Sequence, residues 1–218
     1  MNRTSTTPHR NWVHYPDVNP STCDRWINTA AAKDGQIWTA IRMEKQGDSR
    51  VAILRASGPG DPPRIVAETA LHTEPQRPTL ELDAESRLHI VWNDYTGHVW
   101  RIRHGIVDEK QGCITEESTV WQSPELCMPP DIACVNGAVT VVWSAKQNTG
   151  MCVKTARHDG TGQWEIATLS EDGAGTAFRT TVQAVEETKL LVAWDQYRDG
   201  QYEVVYTKVD AYGRSAAE

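Results

Sequence analysis

Three arginines recur at near-equivalent places along the chain: Arg25, Arg77 and Arg179. Each guanidinium is permanently charged and offers a planar set of donors that suits a carboxylate or a phosphate. If the repeats bring these three groups close together, their positive charges repel one another unless a bound anion or nearby acidic side chains balance them. The arginines therefore predict either a binding site for an anionic or sugar-like ligand, or ion pairs with Asp and Glu of adjacent repeats.

Two polar segments place an aspartate near a tyrosine: Asp94 with Tyr95, and Asp195 with Tyr197. Paired carboxylates are what glycosidic bond cleavage requires, so these aspartates are candidate general acids. The alternative is that they partner the arginines. The tyrosines would either stack on a sugar or fill the interfaces between repeats. The sequence leaves open whether the protein is an enzyme.

Tryptophans mark a repeat, because Trp92, Trp143 and Trp194 lie 51 residues apart, with Ile41 one period earlier. These rings are candidates for stacking on a ligand. The alternative is packing between repeats, which is the usual role of a large aromatic side chain that recurs in every repeat.

The elements that would position these residues are all strands. Each repeat contains a first strand, a β-branched second strand, a polar hairpin with a glycine and a third strand. A fourth strand carries Ile65, Trp121 or Trp164. This pattern predicts an all-β fold: one domain over residues 1–218, forming a small β-propeller of four four-stranded antiparallel blades. The repeats cover about residues 17–70, 71–124, 125–175 and 176–218.

The last repeat reaches Glu218 without a fourth strand. The segment around Trp12, Asn-Trp-Val-His-Tyr, precedes the first repeat and resembles the Gln-Trp-Glu-Ile-Ala segment around Trp164. We therefore predict that residues 10–16 supply the fourth strand of the last blade and close the ring.

The third repeat resembles the sialidase-like propellers that carry Asp-box repeats, whose box runs Ser-x-Asp-x-Gly-x-Thr-Trp. Asp159 and Trp164 keep the separation of the box, whereas Arg157, Thr161 and Gln163 replace its Ser, Gly and Thr. The resemblance implies a propeller fold. It does not imply catalysis, because the box is a structural turn remote from the active site in that family. The aromatic-Arg-Ile-Pro motif of sialidases is not found here, and sialidase rings have six blades.

Composition restricts the partners. The net charge is −7 and no basic block stands out, so nucleic acid is not expected as a partner. The longest apolar runs, such as residues 139–143, are too short to cross a membrane. The first ten residues lack the apolar stretch of a signal peptide, which predicts a cytoplasmic protein unless a leader was removed. The five cysteines form no metal-binding spacing, so neither a metal nor another cofactor is expected.

The leading functional hypothesis is a propeller that recognises a small anionic or sugar-like molecule at its arginine-lined central face. The first alternative is an enzyme on the same face, either a diverged glycoside hydrolase or lyase, or a cyclase or isomerase that orients its substrate. The second alternative is a scaffold that binds another protein. The chain could also form a homodimer.

Overall fold

The structure is a computed structural model of the chain, and it describes residues 27–32, 34–45, 48–58, 61–69, 75–148, 150–158, 162–170 and 175–211. These residues form fifteen β-strands and contain no helix, so the prediction of an all-β fold is confirmed. This part of the chain accordingly has no helix that could span a membrane.

The strands form antiparallel meanders in which each strand pairs with the next one along the chain. The first meander contains β1 (Ile27–Ala31), β2 (Ile37–Lys45), β3 (Asp48–Ala56) and β4 (Arg64–Glu68). The second contains β5 (Thr79–Leu82), β6 (Leu88–Thr96), β7 (Val99–Asp108) and β8 (Cys113–Ser123). The third contains β9 (Asp131–Val135), β10 (Ala138–Gln147), β11 (Gly150–His158) and β12 (Glu165–Thr168). The last contains β13 (Thr176–Glu186), β14 (Lys189–Arg198) and β15 (Gln201–Asp210).

Two-residue turns set the register of the hairpins. Asn136 and Gly137 join β9 to β10 with φ angles of 48° and 78°, and Asp199 and Gly200 join β14 to β15 with 51° and 82°. Positive φ at both central residues matches the right-handed twist of the flanking strands. Gly, Asn and Asp tolerate this conformation best, which explains why the strands turn at these residues.

One parallel bridge, between Glu68 and Cys113, joins the first two meanders into an eight-stranded sheet. The third meander is a four-stranded sheet and the last is a three-stranded sheet. Within the described residues β15 pairs only with β14. The predicted fourth strand, residues 10–16, lies outside the described residues. The closed ring of four blades therefore stays a prediction.

Apolar clusters fill the spaces between consecutive meanders. Trp92 packs with residues of the first and second meanders, Trp143 with residues of the second and third, and Trp194 with residues of the third and last. An apolar core thus lies between each pair of consecutive meanders and packs them against one another in chain order.

The first strands of successive meanders are linked by polar side chains. The Asn28 Oδ1 atom accepts a hydrogen bond of 2.8 Å from the Leu80 backbone N–H. The Thr79 hydroxyl donates to the Pro130 carbonyl over 3.0 Å. The Asp131 Oδ2 atom accepts from the Val182 N–H, also over 3.0 Å. These bonds bring the starts of β1, β5 and β9 together with the middle of β13.

One face of the last sheet is exposed. Val51, Ile102, Val153 and Val204 stand one period apart in the third strands. The first three are 0% exposed because the next meander packs on them, whereas Val204 is 76% exposed. Tyr202 and Tyr206 also lie exposed on β15. A core position of the repeat is thus left uncovered on the last sheet.

Candidate functional site

A cavity of about 320 Å3, which we call the inner pocket, lies where the first strands begin. It brings together two of the three predicted arginines, Arg77 and Arg179, and also Pro129, which takes the place of the arginine in the third repeat. Arg25 lies outside the described residues. The remaining lining residues are Asn28, Pro78, Thr79, Met128, Pro130, Asp131 and Thr180.

Backbone hydrogen bonds hold the segments that lead into β5 and β9. The Gln76 N–H donates to the Asn93 carbonyl over 2.7 Å, and the Met128 N–H donates to the Ser144 carbonyl over 2.8 Å. Both acceptors lie in second strands. The residues just after these donors, Arg77 and Pro129, are therefore fixed at the mouth of the inner pocket.

Arg179 reaches the pocket from an irregular part of β13. Its φ of 42° is unusual for a non-glycine residue, and the register of β13 on β14 shifts between Phe178 and Thr181. The Arg179 guanidinium forms an ion pair of 2.5 Å with the Asp195 carboxylate. Asp195 thus partners one of the predicted arginines, which was the alternative to a catalytic role.

Asp131 is a lining residue that the sequence analysis did not select. Its Oδ2 atom accepts hydrogen bonds from the Thr181 hydroxyl, over 2.7 Å, and from the Val182 N–H. Asn28, Thr79 and Asp131 hold equivalent positions in the first strands β1, β5 and β9. Each lies opposite the second-strand residue that directly precedes the repeat position, which is Ile41, Trp92 or Trp143, respectively. A polar side chain recurring at this inner position was the signal that could have identified them.

A second carboxyl group lies near Asp131. Glu81 follows Thr79 by two residues on β5, so the side chains of Glu81 and Thr79 point to the same face of the sheet. Burial, together with the nearby Asp131 carboxyl group, raises the pKa of Glu81 to about 7. Glu81 does not itself line the inner pocket, whereas Asp131 does. The pair therefore combines a carboxyl that is partly protonated at neutral pH with a second carboxyl group in the pocket wall.

Asp94 and Tyr95 do not line the inner pocket. Asp94 is 0% exposed, and the Arg101 Nη1 atom lies 3.5 Å from its Oδ1 atom. Burial raises the pKa of Asp94, and its Oδ2 atom has no hydrogen-bond partner among the described residues. Tyr95 packs on Trp100 with ring centroids 4.9 Å apart. This placement favours a structural role for both residues.

Tyr197 and the three repeat tryptophans also lie away from the pocket lining. Tyr197 packs against Tyr202 on the last sheet, with ring centroids 5.0 Å apart. Trp92, Trp143 and Trp194 are 2%, 0% and 5% exposed. Buried indoles offer no face to a ligand, so their placement favours packing between sheets over stacking on a sugar.

No group of three or more His, Cys, Asp or Glu side chains in the described part of the chain is arranged to hold a metal ion.

Several solved structures share the fold. An endo-arabinase from Bacteroides thetaiotaomicron VPI-5482 matches with a TM-score of 0.54 at 13% identity, over 84% of this chain and 74% of that chain. A GH43 β-1,3-galactosidase with galactodeoxynojirimycin matches with 0.56 at 12% identity, over 89% and 75%. A protein of unknown function from Dyadobacter fermentans DSM 18053 matches with 0.65 at 12% identity, over 84% and 52%. No family model and no curated protein matches the sequence.

At these identities the likeness shows the fold alone. The neighbours include a GH43 β-1,3-galactosidase and a GH32 β-fructofuranosidase, and this chain shares their propeller-like, all-β fold. The shared fold is propeller-like and does not point to sialidases specifically. The sialidase resemblance thus rests on the degenerate box alone, and its Asp159 lies outside the described residues.

Proposed function

We propose that this protein binds a sugar-like ligand in the inner pocket. The observation that carries the proposal is the lining: the guanidiniums of Arg77 and Arg179 beside the Asn28 amide, the Thr79 hydroxyl and the Asp131 carboxylate. Convergent donors and acceptors in a concave site suit a molecule with many hydroxyl groups. The arabinase and galactosidase among the structural neighbours favour the same ligand class.

We also propose that the preferred ligand carries a carboxylate. Arg77 and Arg179 bring two positive charges to the pocket, and Asp131 is the one acidic residue among the lining residues described. The Asp195 carboxylate already pairs with Arg179. A ligand carboxylate would bind between the Arg77 and Arg179 guanidiniums, next to the Asp195 carboxylate, and would be attracted by both positive charges.

Glycoside hydrolysis is a second candidate, favoured by Glu81 and Asp131. Cleavage of a glycosidic bond uses one carboxyl group that is still protonated and a second that is ionised. The raised pKa of Glu81 fits the acid, and the hydrogen-bonded Asp131 fits the ionised partner. The aspartates expected from the sequence, Asp94 and Asp195, each have an arginine partner instead.

A thermal-shift screen tests both candidates. Galacturonic acid, galactose and arabinose oligosaccharides are added to the wild type, to Arg77→Ala and to Arg198→Ala. The last is a matched control, because Arg198 is half exposed, pairs with Glu203 over 3.2 Å and does not line the pocket. We expect galacturonic acid to raise the Tm of the wild type and the control but not of Arg77→Ala. A wild type whose Tm no sugar raises would contradict the binding proposal.

Catalysis has a separate readout. Release of nitrophenol from aryl arabinofuranosides and aryl galactosides, measured for the wild type and Glu81→Gln, detects hydrolysis directly. Loss of activity in Glu81→Gln with unchanged sugar binding would favour the enzyme. Binding without turnover in the wild type would leave the protein as a sugar-binding propeller.

We propose, finally, that the propeller has four blades and that the last one is completed by residues 10–16. The exposed Val204 supports a further contact at the last sheet, because its equivalents Val51, Ile102 and Val153 are fully buried by the next meander. Closure of the ring onto the first meander would cover Val204. Its cover by a second copy of the chain would instead make the protein a homodimer, which size-exclusion chromatography with light scattering distinguishes.

A further inference from the structure

Trp164 seals the boundary between the second and third meanders. Its ring lies against His104 and His158, with centroid distances of 5.2 Å and 5.0 Å. Its Nε1–H donates to the Ser118 hydroxyl over 3.2 Å. Trp164 directly precedes β12, the fourth strand of the third meander, so this strand carries the indole that packs on the second meander.

The equivalent contacts can be located at the next boundary. With a repeat period of 51 residues, Thr155 is the equivalent of His104, and Val209 is the equivalent of His158. Ser118 is the strand partner of His104, and the strand partner of Thr155 is Ala167. The positions that would surround an indole between the third and last meanders are therefore Thr155, Ala167 and Val209.

These three residues line a second cavity of about 350 Å3, which we call the outer pocket. Apolar side chains make up part of its wall, and three hydroxyls lie among them. The other lining residues are Thr140, Arg157, Glu165, Ile166, Thr168, Leu169 and Asp210. The threonine hydroxyls can accept an indole N–H in the way that Ser118 does, and the Arg157 guanidinium suits an aromatic face.

We propose that the Trp12 side chain fills the outer pocket, with the segment around it paired antiparallel to the free edge of β15. Trp12 sits in the segment that resembles the one around Trp164, and β15 has a single strand partner among the described residues. Fifteen residue steps separate Trp12 from Ile27, a reach of roughly 50 Å when extended. This length can cross several strands spaced about 4.8 Å apart.

The repeat also fixes the register. Arg157 pairs with Glu165, the residue after Trp164, and Thr155 pairs with Ala167. One period later the same offsets place Val13 opposite Lys208 and Tyr15 opposite Tyr206. With these pairs the segment becomes a fourth strand of the last meander, which then has as many strands as each of the other three.

Cysteine pairs test this register in the full chain. Under mild oxidation we expect Val13→Cys with Lys208→Cys to form an intrachain disulfide, located by peptide mass mapping, because opposed residues of antiparallel strands have suitable Cα distances. The control, Val13→Cys with Gln201→Cys, places the second cysteine at the far end of β15. Equal crosslinking of both pairs, or none with Lys208→Cys, would overturn the proposal.

Substitution of Trp12 gives an independent readout. Trp12→Ala should lower the Tm on the order of 10 °C, as expected when a buried aromatic ring is removed from a protein of this size. Asn11→Ala is the matched control and should leave the Tm unchanged. An unchanged Tm in Trp12→Ala would overturn the proposal. Sugar binding at the inner pocket is measured by separate experiments, so a negative result for Trp12 would not contradict the proposed sugar site.

Discussion

A buried chain of titratable groups predicts that acid destabilises the protein through His104. The His89 Nδ1 and His104 Nε2 atoms lie 2.9 Å apart, and the His89 Nε2 atom lies 3.0 Å from the Asp83 carboxylate. His89 and His104 are 2% and 6% exposed. Burial, helped by the charges of His89 and His158, lowers the pKa of His104 to about 3.

The sign of the effect follows from proton binding. The ordinary pKa of His104 is 6.5, so between pH 6.5 and 3 the unfolded chain binds a proton there and the folded protein does not. The stability that depends on a neutral His104 ring is fully present above pH 6.5 and is lost progressively as the pH falls from 6.5 towards 3. At about 1.4 kcal/mol per pH unit, a fall from 6.5 to 4.5 costs about 3 kcal/mol.

Urea denaturation at pH 7.0 and 4.5 measures this loss, with His104→Gln as the comparison because its amide can still bond to His89 and does not titrate. We expect the wild type to lose about 2–3 kcal/mol more than His104→Gln between the two pH values. Glu81, whose raised pKa acts in the opposite direction, is present in both proteins and cancels. Equal losses in the two proteins would refute the reasoning.

Three further substitutions test the packing. Gly105→Ala should destabilise the protein by about 1–3 kcal/mol in urea melts, because a Cβ there would lie 2.3 Å from the Ile114 Cγ2 atom; an unchanged midpoint would contradict this. Asp131→Ala should cost about 1–3 kcal/mol by the same assay, because it removes the acceptor of the Val182 N–H. Val204→Asp should lower the stability, because closure of the ring would cover this residue; an unchanged midpoint would contradict closure.

The sequence predicted the all-β, propeller-like fold because each repeat contains its own strand and turn signals. The 51-residue spacing of Trp92, Trp143 and Trp194 reflects a packing position that recurs between sheets. The same periodicity predicted that Arg77 and Arg179 share one pocket, since equivalent strand starts meet when the sheets pack side by side.

The chemistry of the site was harder to predict because it depends on burial and on contacts between repeats. Asp94 and Asp195 both follow a repeat position, yet one is fully buried and the other pairs with Arg179. Asp131 begins an otherwise apolar strand, and nothing in the local sequence indicates that Thr181 and Val182, about fifty residues later, bond to it. The raised pKa of Glu81 likewise arises only when the strands meet.

Isothermal titration of galacturonic acid into the wild type, Arg77→Ala, Arg77→Lys and Arg198→Ala tests the central proposal most directly. We predict that Arg77→Ala weakens binding by roughly tenfold to a hundredfold, the usual effect of losing a charged hydrogen bond. Arg77→Lys should recover part of the affinity, because a point charge does not reproduce the planar fork, and Arg198→Ala should bind like the wild type. Equal affinity in Arg77→Ala and the wild type, or no binding by any of the four proteins, would contradict a carboxylate-binding sugar site in the inner pocket.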